Sequence, residues 1–169
     1  MTKLFLVRHG ETVANAAQIL QGQLPGKLND TGIKQAKDLA LRLANEHIDV
    51  FVASDLQRAI DTCRIVARSH GVTNVVTTPL LRERDWGSFT KCYIPDLKDK
   101  EWPNDIETLE HMKSRAQNFL TWVHVSWPNQ TVLAVGHGII NKAVQSVYYK
   151  RPMPDIPKMG NAEVRVLLL

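Results

Sequence analysis

Two histidines of this chain occupy near-identical settings: His9 in Val7-Arg8-His9-Gly10-Glu11-Thr12, and His137 in Val135-Gly136-His137-Gly138. Each closes a short apolar run, and each is flanked by glycine, where a bulkier neighbour would block approach to the imidazole. Arg8 stands beside the first. Arg58 falls one turn into a segment that reads as a helix opening at Ser54-Asp55, where the dipole and free backbone N–H groups favour an anion. A guanidinium binds two oxygens at once through its planar fork. Two such forks and a helix start describe a phosphate pocket, provided the fold brings them to one place.

The elements that must do so can be read from periodicity. Leu4 to Val7 is an apolar run of the kind a strand covered on both faces shows. Asp49 to Ala53, Val75 to Thr78, Thr131 to Val135 and Glu163 to Leu169 read as further strands. Between them lie helical patterns: Thr31 as cap of a helix to about Glu46, Ser54 or Asp55 as cap of one to about His70, then Ile106 to Val123 and Ile139 to Tyr149. Strands alternating with helices predict a three-layer α/β/α sandwich with a mostly parallel central sheet. In such sheets ligands bind beyond the carboxyl ends of the strands, where both histidines fall. Arg84 to Asp105, with two prolines and three Trp or Phe residues, fits no element and reads as an excursion over the site, able to act as a lid.

Length and composition narrow the class. The 169 residues suit one domain spanning 1–169. A hydrophobic fraction of 44% and a charged fraction of 22% exclude disordered and fibrous classes. No apolar run reaches the roughly 18 residues of a membrane helix, and the N-terminus lacks a signal-peptide pattern, so a cytoplasmic protein is expected. Cys63 and Cys92 are the only cysteines and form no CxxC, which indicates neither a disulfide framework nor a thiolate metal site. No HxH, HExxH or clustered DxD pattern supports a metal centre. The formal net charge of +4 comes without a Lys/Arg block interleaved with aromatics, so neither nucleic acid nor membrane is an expected partner, and the residues do not fix an oligomeric state. His47, His70, His111 and His124 fall on helix ends or faces and read as surface or structural; Cys63, Trp122 and Trp127 read as packing.

Taken in order, Leu6-Val7-Arg8-His9-Gly10-Glu11-Thr12, Leu28-Asn29-Asp30-Thr31-Gly32, Ser54-Asp55-Leu56-Gln57-Arg58-Ala59, Leu81-Arg82-Glu83 and Gly136-His137-Gly138 resemble the histidine phosphatase superfamily, also called the phosphoglycerate mutase-like family. The resemblance runs from about residue 4 to 141. It implies that His9 accepts the phosphoryl group, that Arg8, Arg58 and His137 hold its oxygens, and that Glu83 protonates the leaving oxygen, with Glu11, Asp55 and Asp85 as competing carboxylates nearby. It further implies phosphate or substrate contacts from Asn15, Gln21, Gly22, Gly138 and Asn161. Chemistry agrees: a neutral imidazole is a competent nucleophile, and adjacent Arg8 should keep His9 neutral by penalising a second positive charge.

Two outcomes share the first step. Water attacking a phosphohistidine makes a phosphatase; a substrate hydroxyl makes a mutase. Mutases of this family carry an extended insertion and a tail beyond the last strand, whereas this chain stops at that strand, which favours hydrolysis of a small phosphomonoester or of a protein phosphohistidine. No cofactor is expected, apart from 2,3-bisphosphoglycerate priming in the mutase case. A phosphate-sensing or scaffold protein without turnover is the reading from another class. One departure stands out: after Glu83 the family's aromatic-glycine pair leads into a Trp-Glu-Gly-like segment, but here the run is Trp86-Gly87-Ser88-Phe89-Thr90-Lys91.

Overall fold

The computed structural model describes residues 1–169. Its strands are β1 (Lys3–Arg8), β2 (Val50–Ser54), β3 (Val76–Thr78), β4 (Thr131–Gly136) and β5 (Val164–Leu168), and its helices α1 (Val13–Ala16), α2 (Asp30–Arg42), α3 (Gln57–Ser69), α4 (Leu109–Ser126) and α5 (Gly138–Tyr149). The sheet runs in the order β3-β2-β4-β1-β5. All pairings are parallel except that of the edge strand β5 with β1.

The apolar runs become strands because each has two faces to bury. Leu4, Leu6, Val52, Val132 and Ala134 point to a core shared with α4 and α5. Their neighbours Phe5, Val7, Phe51, Leu133 and Val135 point to a second core shared with α2 and α3. Successive side chains of a strand face opposite ways, so one continuous apolar run serves both layers. The three-layer sandwich follows.

Register then sets the chemistry. β1 pairs with β4 from Lys3↔Thr131 to Arg8↔Gly136, so the residues that follow, His9 and His137, leave adjacent strands at the same level. The His9 N–H donates to the Gly136 carbonyl at 3.2 Å. The chain after β1 turns to one face of the sheet and the chain after β4 to the other, which opens a crevice between them.

Helix starts differ from the sequence reading. Asn29, not Thr31, caps α2: its Oδ1 accepts from the Gly32 N–H at 2.8 Å, while its Nδ2 donates to Glu11 at 2.8 Å. The helix ends at Arg42, four residues short of Glu46. α3 begins at Gln57 behind Leu56, without a side-chain cap, because Ser54 and Asp55 are engaged elsewhere. Thr108 caps α4, so Ile106 precedes the helix.

The glycines beside the histidines also have a different reason. A Cβ on Gly10 would lie 2.5 Å from the Gly32 carbonyl oxygen, and one on Gly32 would lie 2.0 Å from that of Glu11. The loop after β1 and the first turn of α2 thus pack backbone to backbone, which no side chain permits. A Cβ on Gly136 would meet Asn141 Oδ1 at 2.2 Å, whereas one on Gly138 would make only ordinary contacts with Arg8. Close packing, more than access to the imidazoles, demands glycine at 10 and 136.

Residues 84–105 contain two 3₁₀ turns, Gly87–Phe89 and Ile94–Leu97. The segment is tied down. Lys91 N–H donates to the Leu20 carbonyl, Leu20 N–H to the Cys92 carbonyl and Ile94 N–H to the Gln18 carbonyl, at 2.7, 2.9 and 2.8 Å. Ser88 bonds Asp105 through both its N–H and its hydroxyl.

Candidate active site

His9 is 3% exposed and lies at the floor of a cleft of about 320 Å³. Arg8, Arg58, Glu83, Lys142 and Lys158 supply its charged walls, so cations outnumber the single acid. His137, fully buried, sets its ring edge-on against that of His9, with centroids 5.0 Å apart. The convergence expected from the two motifs is met.

The His9 Nδ1 lies 2.7 Å from the Gly10 carbonyl, which can only accept. Nδ1 therefore carries the proton, and the Nε2 lone pair is free. Burial, then the Arg58 guanidinium, then Arg8, lower the His9 pKa to about 3, against the opposing Gly10 carbonyl. Arg8 alone was the expected cause; desolvation leads, and Arg58 acts more strongly than Arg8. For His137, burial first and then Arg58, His9 and Arg8 push the pKa well below the usual imidazole value. Its Nε2 lies 2.9 Å from Ser54 Oγ, which already accepts from the Leu56 N–H. Ser54 thus anchors the ring through Nε2, and the opposite nitrogen, Nδ1, is buried without a hydrogen-bond partner.

Neutral buried histidines make stability depend on pH. An unfolded His9 takes up a proton below its ordinary 6.5, while the native residue does so only near 3. Between these values the unfolded state binds more protons, so stability falls as pH drops from 6.5 towards 3. At pH 5 His9 alone should lower stability by about 2 kcal/mol relative to pH 8, and His137 acts with the same sign. Urea unfolding at stepped pH checks this: His9→Asn should reduce the proton uptake on unfolding near pH 5 by about one. An unchanged pH slope would contradict it.

Arg58 is 1% exposed, and its guanidinium is fixed on one edge by the Leu24 and Gly22 carbonyls. Burial lowers its pKa to about 10, which leaves it charged at neutral pH. Arg8 donates through Nη1 to the Met159 carbonyl at 2.7 Å. In both residues Nε is buried without a partner. The start of α3 does not contribute the anion site expected from sequence. Its Arg58 N–H donates to the Pro25 carbonyl and its Leu56 N–H to Ser54, so these amides are already satisfied.

Glu83 closes the cleft from the far side, beneath the first turn of α5. Its Oε1 accepts from the Ile140 N–H at 3.1 Å and the Arg84 N–H at 2.9 Å, and its Oε2 from the Ile139 N–H at 3.1 Å. The rival acids are occupied elsewhere: Asp55 holds Arg82 in a two-pronged pair, Glu11 receives Asn29, and Asp85 receives the Gly87 N–H.

Asn15, Gln21, Gly22 and Gly138 line the cleft. Asn15 also completes a capping box with Thr12 at the start of α1. Gly22 sits at φ +53°, in the left-handed region that its type favours. Asn161 does not line the cleft; it donates to the His9 carbonyl at 3.1 Å and so supports the loop from behind. Sequence reading missed Lys142, one turn into α5, and Lys158, in the proline-rich approach to β5. Trp86, Ile94, Ile19 and Leu20 form the apolar part of the wall.

No cluster of three or more His, Cys, Asp or Glu side chains is placed to hold a metal ion. No helix is long and apolar enough to cross a membrane.

The sequence profile of the histidine phosphatase superfamily (branch 1) matches residues 4–169. A metal-independent phosphoserine phosphatase of Arabidopsis thaliana is 33% identical, in an alignment spanning 100% of this chain and 77% of the relative. Phosphoglycerate mutase-like protein 4 of the same plant is 30% identical, over 99% and 79%. A mycobacterial glucosyl-3-phosphoglycerate phosphatase, solved as a complex with VO3, superposes with a TM-score of 0.89 at 26% identity, covering 98% of this chain and 92% of that one.

Proposed function

The chain belongs to the histidine phosphatase superfamily, and on that premise we propose that it hydrolyses small phosphomonoesters through a phosphohistidine formed on His9. One observation carries the reading. Arg8 Nε and Arg58 Nε are buried donors without a protein acceptor beside the uncharged His9 imidazole, and the buried Nδ1 of the neighbouring His137 also lacks a partner. An unsatisfied buried donor costs about 1–3 kcal/mol, and more when charged, so two guanidinium donors left unpaired beside one imidazole suit a site that awaits an anion's oxygens.

The residues divide the work as follows. Arg8, Arg58 and His137 hold the non-bridging phosphoryl oxygens, and Lys142 and Lys158 draw the dianion to the mouth of the cleft. His9 Nε2 attacks phosphorus; the bond to the ester oxygen breaks, and that oxygen takes a proton from Glu83. Water then attacks phosphorus and gives a proton to the Glu83 carboxylate, the P–N bond breaks, and inorganic phosphate leaves with His9 neutral again. Oε2 of Glu83, with a single amide partner, is the oxygen with room for that proton. The charges that stabilise the transition state come from the chain's own side chains, with no metal ion or cofactor.

Relatives named for phosphoserine and for glucosyl-3-phosphoglycerate point to small phosphorylated metabolites as substrates. The test is phosphate release from para-nitrophenyl phosphate in the presence of a chelator, with His9→Ala as the control, followed by a panel of phosphorylated metabolites. Interconversion of 2- and 3-phosphoglycerate primed by 2,3-bisphosphoglycerate, in place of phosphate release, would assign the mutase course. Tight phosphate binding without turnover would assign a sensor.

A further inference from the structure

A second cleft of about 540 Å³ opens beside the first and shares Leu20, Trp86 and Ile94 with it. Its remaining walls are Phe89, Pro95, Leu97 and Trp102, and Lys98 is its one charged residue. The two compartments therefore differ in kind: one is lined by guanidiniums, ammoniums and a carboxylate, the other by aromatic rings and aliphatic chains.

The apolar compartment is held in shape from behind. Trp86 meets Trp102 edge to face at 5.4 Å, and Phe89 meets Trp102 at 6.2 Å. The Arg84 guanidinium lies 4.8 Å from the Trp86 ring centre and 5.3 Å from that of Trp102. Arg84 is itself fixed by donation to the Glu107 carbonyl at 2.7 Å. Backbone bonds from Lys91, Cys92 and Ile94 to residues 18–20 anchor the other wall. Yet Trp102 remains 54% exposed and Ile94 47% exposed. A preformed apolar wall left open to solvent gains free energy when an apolar body covers it.

We propose that this compartment receives the alcohol portion of the substrate, so that the preferred substrates are phosphomonoesters of aromatic or long aliphatic alcohols. The inference rests on the phosphatase reading above, since the shared wall puts the occupant next to a phosphoryl group held at His9. Continuity with the catalytic cleft through Leu20, Trp86 and Ile94 favours a group covalently joined to that phosphate over a separate partner.

The experiment is a homologous series of n-alkyl phosphates from propyl to octyl, whose leaving alcohols have nearly the same acidity, so that chemistry is constant and only buried surface changes. Complete burial of a methylene corresponds to about fourfold in kcat/KM. A rise of two- to fourfold per methylene in the wild-type protein, and a flattened rise in both Trp102→Ala and Leu97→Ser, is the expected result. Trp102 is half in solvent, so its replacement spares the core; Leu97→Ser keeps the test sharp should that variant fold poorly. A rise that persists in both variants, or a flat series in an enzyme that turns over para-nitrophenyl phosphate, overturns the substrate compartment and leaves the phosphatase intact. A flat series together with concentration-dependent dimerisation lost in Trp102→Ala would give the face to a second copy of the chain, again against the proposal. Absence of all His9-dependent turnover would instead fail the phosphatase reading itself.

Discussion

His9→Ala is expected to lower kcat/KM for any phosphomonoester by at least about 10⁴-fold while leaving a folded protein that still binds phosphate. Hydrolysis of such esters without a catalyst is so slow that enzymes supply up to ~10²¹-fold, about 28 kcal/mol of barrier. A single exposed ion pair, at about 1 kcal/mol or less, supplies almost none of that. A covalent step divides the barrier, and here only His9 combines a free ring nitrogen with contact to the cationic cluster. The other imidazole is committed: His137 is fully buried, and its Nε2 is bonded to Ser54. Losing His9 therefore removes the nucleophile but none of the oxygen-holding groups. Rapid quench with a labelled substrate should trap an acid-labile, base-stable protein adduct in the wild type and none in the variant. Undiminished turnover by His9→Ala would end the covalent account.

Much of this site is legible from residue order because it stands at strand ends. Apolar runs of strand length locate β1 and β4, and the residues that follow must emerge at one edge of a parallel sheet; hence His9, Arg8 and His137 can be placed together before any coordinates. Register refines this: the pairing of Arg8 with Gly136 depends on which strands are neighbours, and β1 and β4 lie more than a hundred residues apart. Less legible are groups whose role depends on what packs across from them. Lys142 and Lys158 carry no local pattern, and only the approach of α5 and the loop before β5 turns them towards the cleft. The start of α3 has the sequence of an anion site, but the Pro25 carbonyl takes up the Arg58 amide, a contact between segments some thirty residues apart. Asn161 sits where a substrate contact is expected and holds the His9 backbone instead. In each case long-range packing decides what the local type leaves open.

Glu83→Gln should separate substrates by their leaving groups. An alkoxide is a poor leaving group and needs its proton as the ester bond breaks, so alkyl phosphates should lose about 10² to 10⁴ in kcat/KM. Nitrophenolate departs unprotonated, so para-nitrophenyl phosphate should lose less than about tenfold in the same variant. The second half-reaction, in contrast, slows for every substrate. Without a carboxylate to take the proton of the attacking water, the phosphoenzyme drains slowly, and stopped flow should record a burst of nitrophenolate close to one equivalent of protein. The substitution also tests the competing structural role, since Glu83 accepts the Ile139 and Ile140 amides at the start of α5. Gln keeps one acceptor for Ile140 but turns an NH₂ towards the Ile139 N–H or forces the amide to rotate. If capping α5 were all Glu83 did, the first turn of the helix and His137 before it would shift for every substrate alike. Alkyl and aryl phosphates would then fall by the same factor, with no burst. A graded loss with a burst assigns the proton to Glu83; a uniform loss assigns it elsewhere.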